Sequence, residues 1–172
     1  MQTTTSSCFN VLYPGFILTR SDLPIDGIIE PVSHPSGPVY YKDYRIYRDK
    51  ASAVWYLQVG RRYTTVGYWP PRLFTGLTDL ADYMDWGGEA YSDPDIAGPP
   101  MGRGVLPSGD LLENASVKDI VIINEAGDKS PATRTEAYAD KELHYGVKDG
   151  GVSKQPLYHY ITYGGPGGAT GW

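Results

Sequence analysis

The chain has 172 residues, of which 20 % are charged and 41 % hydrophobic, and its formal net charge is −5. This length suits one domain with a buried core, and the lack of any basic block argues against a nucleic-acid partner. No apolar run approaches the roughly 18 residues of a membrane span, and the first residues lack the basic and apolar regions of a signal peptide. One cysteine, Cys8, cannot form an internal disulfide.

The aromatic and turn-forming residues favour short strands over long helices. The chain contains 15 tyrosines and 4 tryptophans but only 3 phenylalanines, and it has 21 glycines and 14 prolines. Aromatic residues suit the half-buried positions of a sheet, while glycine and proline interrupt extended segments. We therefore expect an all-β protein.

The first half of the chain predicts strands followed by one helix. The predicted strands cover residues 16–19, 28–32, 40–48, 53–59 and 64–69, and the last three have the spacing of an antiparallel meander. Pro70 and Pro71 suit a helix start. The following apolar residues recur with the helical period and predict an amphipathic helix near residues 71–85, ended by Gly87 and Gly88: Leu73, Phe74, Leu77, Leu80, Ala81 and Met84.

The second half predicts a long loop and a few more strands. Residues 91–114 are rich in glycine and proline and predict a loop, whereas residues 117–123 predict a buried strand closed by a turn at 124–128. Residues 129–142 are weakly patterned and fit a loop or a frayed helix. Residues 157–163 alternate and predict a final strand. These elements predict an antiparallel β-sandwich with one helix.

Two motifs lie within a short stretch of chain. The first is Val66-Gly67-Tyr68-Trp69-Pro70-Pro71-Arg72-Leu73-Phe74, and the second is Trp86-Gly87-Gly88-Glu89. Further pieces occur in a fixed order around them: Cys8-Phe9-Asn10, Pro14-Gly15-Phe16, Pro31-Val32-Ser33, Trp55-Tyr56-Leu57-Gln58-Val59-Gly60, Met101-Gly102-Arg103-Gly104 and Tyr163-Gly164-Gly165-Pro166-Gly167. Taken together, they resemble the neprosin domain, a plant-enriched family of secreted glutamic endopeptidases that cut at proline.

The resemblance implies a catalytic role for Glu89, because the glutamate of the WGGE-type motif is one of the family's two catalytic carboxylates. The second lies upstream in the family, and we find no match to it in this chain. We therefore expect one half of the catalytic pair, in a sandwich that is incomplete on its N-terminal side. The implied domain covers residues 8–168, with a disordered segment at 1–7 and a tail at 169–172. The implied substrate is a proline-containing peptide cleaved in acid, with no metal and no cofactor.

Each candidate residue has a plainer interpretation. From the local pattern alone, Glu89 is a solvated or helix-terminal carboxylate. Tyr68, Trp69 and Trp86 are either core residues or rings that stack on a substrate proline. Asn114 begins the sequon Asn114-Ala115-Ser116, which is a glycosylation site only in a secreted chain. The histidines match no metal-binding spacing, and we expect surface or strand roles for them: His34, His144 and His159.

The sequence also departs from the family pattern. Tyr13 stands where the family has a cysteine shortly after the equivalent of Cys8, and the C-terminal region lacks another cysteine pair. Without these disulfides Cys8 is a free thiol or a leftover of lost pairs. The alternative to a peptidase is therefore a non-catalytic sandwich that binds peptide or cell-wall glycan, or a fragment of a longer protein.

Overall fold

The computed structural model describes residues 15–23, 25, 27–34, 36–153 and 158–168. Within them the chain forms nine β-strands and one 3-10 turn, and every pairing of these strands is antiparallel. The predicted all-β, antiparallel class is therefore confirmed. The expected disordered segment at 1–7, Cys8 and the tail at 169–172 lie outside the described residues. The chain divides into two compact units, Met1–Met84 and Asp85–Trp172.

The first unit contains a four-stranded sheet. Its strands are β1 (Ile17–Leu18), β2 (Tyr44–Arg48), β3 (Trp55–Val59) and β4 (Thr64–Trp69), in the order β1-β4-β3-β2. The predicted meander is thus confirmed, with β2 at one edge. Gly60 has a φ of 78° in the tight connection between β3 and β4, a conformation that glycine adopts without strain.

A row of three tyrosines crosses one face of this sheet. Tyr47 pairs with Tyr56, and Tyr56 pairs with Tyr68 on the next strand. The first two rings stack at a centroid distance of 5.4 Å, and the next two are tilted at 5.8 Å. The Arg45 guanidinium lies 4.7 Å from the Tyr47 ring centroid. Such cross-strand aromatic and cation–π pairs stabilise the sheet and fix its register.

The amphipathic helix predicted near residues 71–85 is wrong. Only Pro71–Leu73 form a 3-10 turn, and Phe74 is already extended. The apolar residues of the predicted helix find no surface to pack against, since Leu80 and Met84 remain 47 % and 42 % exposed. The segment instead caps side chains of the sheet: its carbonyl oxygens accept hydrogen bonds from the Trp55 indole and the Arg48 guanidinium. Tertiary contacts override the helical pattern.

The second unit contains two small sheets. Strands β5 (Ala115–Val117), β9 (His159–Gly164) and β8 (Gly146–Val152) form one sheet in the order β5-β9-β8. Strands β6 (Val121–Ile123) and β7 (Lys129–Pro131) form a hairpin closed by the predicted turn. The core of this unit is built on Ile120, Ala132 and Ile161.

Several predicted strand bounds are wrong for local reasons. The segment 117–123 is split in two because Asp119 adopts a φ of 56° between β5 and β6. Residues 28–32 form no strand, and Ile28 is 87 % exposed. The sequence did not predict strand β8, because Gly150 and Gly151 interrupt its pattern. The pairing of β8 with β9 shifts register at these glycines. Across the described part of the chain, no helix has the length and apolar character needed to cross a bilayer.

Candidate active site

Glu89 lies in an irregular segment of the second unit and is exposed to solvent. Among the described residues, its carboxylate makes no hydrogen bond and no ion pair. A carboxylate without an internal partner is open to water and to a bound peptide. This placement suits a group that must exchange a proton with a substrate, although a solvated surface carboxylate would have the same exposure.

What distinguishes Glu89 from an ordinary surface carboxylate is the anchoring of its backbone. The residue before it, Gly88, faces two side chains so closely that a Cβ there would lie 2.7 Å from Met101 Sδ and 2.8 Å from Tyr163 Cε2. Three positions before Glu89, the half-buried Trp86 packs against the core formed by Ile120, Ala132 and Ile161. The exposed carboxylate therefore projects from a backbone that is anchored by Trp86 in the core and by Gly88 against Met101 and Tyr163.

Three of the motifs singled out in the sequence meet at this point. Gly88 belongs to the WGGE motif, Met101 begins the MGRG motif and Tyr163 begins the YGGPG motif. Met101 and Gly165 also exchange two backbone hydrogen bonds, of 2.9 and 3.1 Å. The motifs are far apart in the sequence but build one local framework beside Glu89. Gly88 allows close packing against side chains there, and Gly165 and Gly167 allow close packing against backbone atoms.

Tyr163 contributes a neutral phenol to this framework. Burial raises the pKa of Tyr163 above its ordinary value. The phenol therefore stays protonated in acid and throughout the neutral range, and its ring packs against the core of the second unit. Tyr163 thus supplies shape and rigidity at Gly88 without adding charge.

The close approach at Gly88 makes a testable prediction. Gly88→Ala is expected to destabilise the protein by about 2 kcal/mol, because the added methyl group must displace the Tyr163 ring or the Met101 side chain. Urea unfolding monitored by fluorescence measures this change. Gly87→Ala is the matched control, since a Cβ at Gly87 has nothing within 4 Å. Equal stability of the two variants would contradict the packing described for Gly88.

The aromatic candidates do not form one stacking surface. Tyr68 and Trp69 are neighbours on β4, so their side chains lie on opposite faces of the sheet. Tyr68 belongs to the tyrosine row, while Trp69 packs edge-to-face on Phe16 at 4.6 Å. Trp86 contributes to the core of the second unit. These contacts favour the packing interpretation for each residue, and stacking on a substrate proline stays a prediction.

Asn114, His144 and His159 have definite hydrogen-bond partners. The Asn114 side-chain oxygen accepts hydrogen bonds from the Ser108 backbone and hydroxyl at 2.9 and 2.8 Å, and its glycosylation stays a prediction. Nδ1 of His144 lies 2.8 Å from the Gly167 carbonyl oxygen. His159, for which we expected a surface or strand role, is buried beside Asp149. No group of metal-binding side chains occurs in the described ranges.

Comparison with known families agrees with the motifs and with the framework they build. A family model described as Neprosin matches residues 1–166, which is nearly the whole chain. The matched range includes Glu89, the WGGE and MGRG motifs and the YGGPG motif as far as Pro166. The chain therefore belongs to the neprosin family.

Proposed function

We propose that this chain supplies Glu89 as one of two catalytic carboxylates of a glutamic endopeptidase that cleaves peptides at proline in acid. The observation that carries the proposal is the arrangement at Glu89: an exposed carboxylate without a partner in the described part of the chain, on a backbone fixed by Gly88 against Met101 and Tyr163. Membership of the neprosin family supports the peptidase class. The second carboxylate belongs to the segment that the family carries upstream.

Two carboxyl groups can hydrolyse an amide by dividing the proton transfers. One takes a proton from the attacking water, and the other gives a proton to the amide or to its leaving nitrogen. Two neighbouring carboxylates do not ionise independently, because the first negative charge opposes the second, so one proton is shared between them in acid. Glu89 alone lacks this partner, and the proposal therefore requires the upstream glutamate for activity.

The acidic residues on either side of Glu89 in the sequence are consistent with peptide hydrolysis at acid pH. Between residues 85 and 102 the chain has four acidic residues and no lysine or arginine: Asp85, Glu89, Asp93 and Asp95. The segment has no positively charged side chain to offset the repulsion between its carboxylates. This repulsion decreases as the carboxylates take up protons at low pH. An extracellular acidic compartment, the setting that the family membership suggests, would supply such conditions.

The test is a cleavage assay on the chain joined to the family's upstream segment. A peptide with a single proline is incubated at acid and at neutral pH, and the products are mapped by mass spectrometry. We expect one cut at the proline in acid and none in a matched peptide with alanine in its place. Equal cleavage of both peptides would reject the proline specificity, and cleavage only at neutral pH would reject the acid mechanism.

A specific observation favours a second function, the binding of an acidic peptide or glycan. The segment 42–72, which includes the tyrosine row, carries seven basic and two acidic side chains, although the whole chain is negative. The basic residues are Lys42, Arg45, Arg48, Lys50, Arg61, Arg62 and Arg72, and the acidic ones are Asp43 and Asp49. This function requires saturable binding that Glu89→Gln leaves unchanged.

A further inference from the structure

Arg45 on β2 has aromatic partners for its guanidinium but no hydrogen-bond acceptor. The guanidinium carbon lies 4.7 Å from the Tyr47 ring centroid and 5.5 Å from the Tyr63 ring centroid. Nε is buried without a hydrogen-bond partner, and the side chain makes no hydrogen bond or ion pair among the described residues. Two rings therefore fix the position of a cation whose N–H donors are left for another molecule.

The carboxylates nearest to Arg45 along the chain do not neutralise it. Asp43 forms no ion pair with Arg45 in the part of the chain that the structure describes. Asp49 accepts hydrogen bonds from the backbone and the hydroxyl of Ser52. Partial burial of a charge without an opposite charge is unfavourable, and Arg45 is half-buried. An anion that pairs with Arg45 would offset this cost.

The second ring beside Arg45 comes from the turn between β3 and β4. Tyr63 adopts a φ of 49°, which is uncommon for a bulky residue. Its backbone N–H donates a hydrogen bond of 2.8 Å to the Gly60 carbonyl oxygen and closes the turn. Backbone strain of this kind occurs often at ligand-binding sites, where the surrounding contacts maintain it. The turn holds the Tyr63 ring beside Arg45 in the structure without any ligand, so this arrangement is preformed.

The tyrosine row beside Arg45 presents hydroxyl groups rather than open ring faces. Tyr56 is flanked by the Tyr47 ring at 5.4 Å and by the Tyr68 ring at 5.8 Å. All three residues are half-buried, and their hydroxyls make no hydrogen bond to the described residues. A phenol can both donate and accept, as a sugar hydroxyl can. The row therefore suits a ligand rich in oxygen atoms better than a proline, which stacks on an open ring face.

The charge of the surrounding segment is complementary to an anion. Residues 42–72 carry seven of the chain's 15 basic residues but only two of its 20 acidic residues. Arg61 and Arg62 are exposed and directly precede Tyr63 in the β3–β4 turn. A local excess of positive charge attracts anionic ligands and speeds their association. The first unit therefore has a positive segment in a chain whose net charge is −5.

We propose that Arg45, Tyr47 and Tyr63 form the centre of a binding site for a carboxylated oligosaccharide, that is, a chain of sugar acids. The Arg45 guanidinium pairs with a sugar carboxylate, which matches its fork of N–H donors. The hydroxyls of the tyrosine row exchange hydrogen bonds with neighbouring sugar oxygens. An acidic peptide offers carboxylates but few hydroxyls. This inference rests on the second proposed function, for which it names the site and the ligand, and it does not depend on Glu89.

The first measurement is calorimetric titration of the unchanged protein at neutral pH and fixed ionic strength. The probes are an oligomer of galacturonic acid, the same oligomer with methyl-esterified carboxyl groups, and a glutamate oligopeptide of similar charge. We expect saturable binding of the acidic oligomer and roughly tenfold or weaker binding of the other two probes. Equal binding of the ester would overturn carboxylate recognition, and equal binding of the peptide would overturn the choice of a sugar ligand. This comparison does not require any variant to fold.

The second measurement repeats the titration of the acidic oligomer with variants whose folding is checked by circular dichroism. Arg45→Gln is expected to weaken binding about 10–100-fold, because it removes charge-assisted hydrogen bonds. Tyr47→Phe keeps the ring but loses the hydroxyl, and we expect about 2–10-fold weaker binding. The matched control is Arg134→Gln, which removes the same charge from an exposed position in the second unit. This control should bind as the unchanged protein does.

The outcomes separate the site from the function on which it rests. Binding of the acidic oligomer that Arg45→Gln leaves unchanged would overturn this site, while the second proposed function would stand. An equal loss in Arg45→Gln and Arg134→Gln would also overturn it, because net charge and not a specific contact would then decide the affinity. Absence of binding to both the acidic oligomer and the peptide would overturn the site and the second function together.

Discussion

Replacing Glu89 with glutamine is expected to lower kcat/KM for a proline-containing peptide in acid by about 10²–10⁴-fold in the chain joined to the family's upstream segment. Glutamine preserves the size of the side chain but neither takes nor gives the required proton. The fold should be unaffected, because Glu89 is exposed and makes no hydrogen bond or ion pair among the described residues. Peptide binding should change far less than the rate, because the proton transfer belongs to the transition state.

The matched control is Glu136→Gln. Glu136 is also exposed, and it lies outside the three motifs that surround Glu89. We expect this variant to keep the full rate, because it removes the same charge from a position without a catalytic role. Unchanged activity in Glu89→Gln, or an equal loss in both variants, would contradict the assignment of Glu89.

Gly165→Ala is expected to give the largest loss of stability, roughly 3–5 kcal/mol. Gly165 is buried, and its missing side chain faces backbone atoms. An added Cβ would fall on the His144 carbonyl oxygen and lie 2.7 Å from the Tyr145 Cα. Gly165 cannot move away easily, because it exchanges two backbone hydrogen bonds with Met101. The clash of the added Cβ is therefore relieved only if the Gly165 backbone moves away from the backbone of His144 and Tyr145.

Urea or thermal unfolding measures this loss, with Gly87→Ala as the control. That control adds the same methyl group where nothing lies within 4 Å, so its stability should change by less than about 0.5 kcal/mol. A Gly165→Ala protein as stable as the control would show that the glycines of the YGGPG motif are not required by close packing.

The sequence predicted the strands whose side chains alternate between two faces. The meander of β2, β3 and β4 follows from such alternation, because one buried face specifies both the strand and its register. The sequence did not predict strand β8, because its lysine, aspartate and three glycines give no apolar pattern. Pairing with β9 holds the strand in place. The helix near residues 71–85 failed for the opposite reason: its apolar pattern was strong, but the fold gives that stripe no surface to cover.

The candidate site was predictable only in part. Glu89 came from the motif resemblance, since no local pattern separates it from the other exposed carboxylates of the chain. The framework around it depends on Met101 and Tyr163, whose convergence on Gly88 is a tertiary contact. The burial of His159 had a signal in the sequence, because it shares a face of its strand with Ile161. Its partner Asp149 could not be found without the register of β8.

The central claim is that Glu89 is one member of a carboxylate pair whose other member lies on the family's upstream segment. The most direct test measures hydrolysis of a proline-containing peptide in acid by this chain alone and by the chain joined to that segment. The account predicts cleavage only by the joined protein, with the activity lost when either glutamate is replaced by glutamine. Efficient cleavage by this chain alone, or by the joined Glu89→Gln protein, would contradict it.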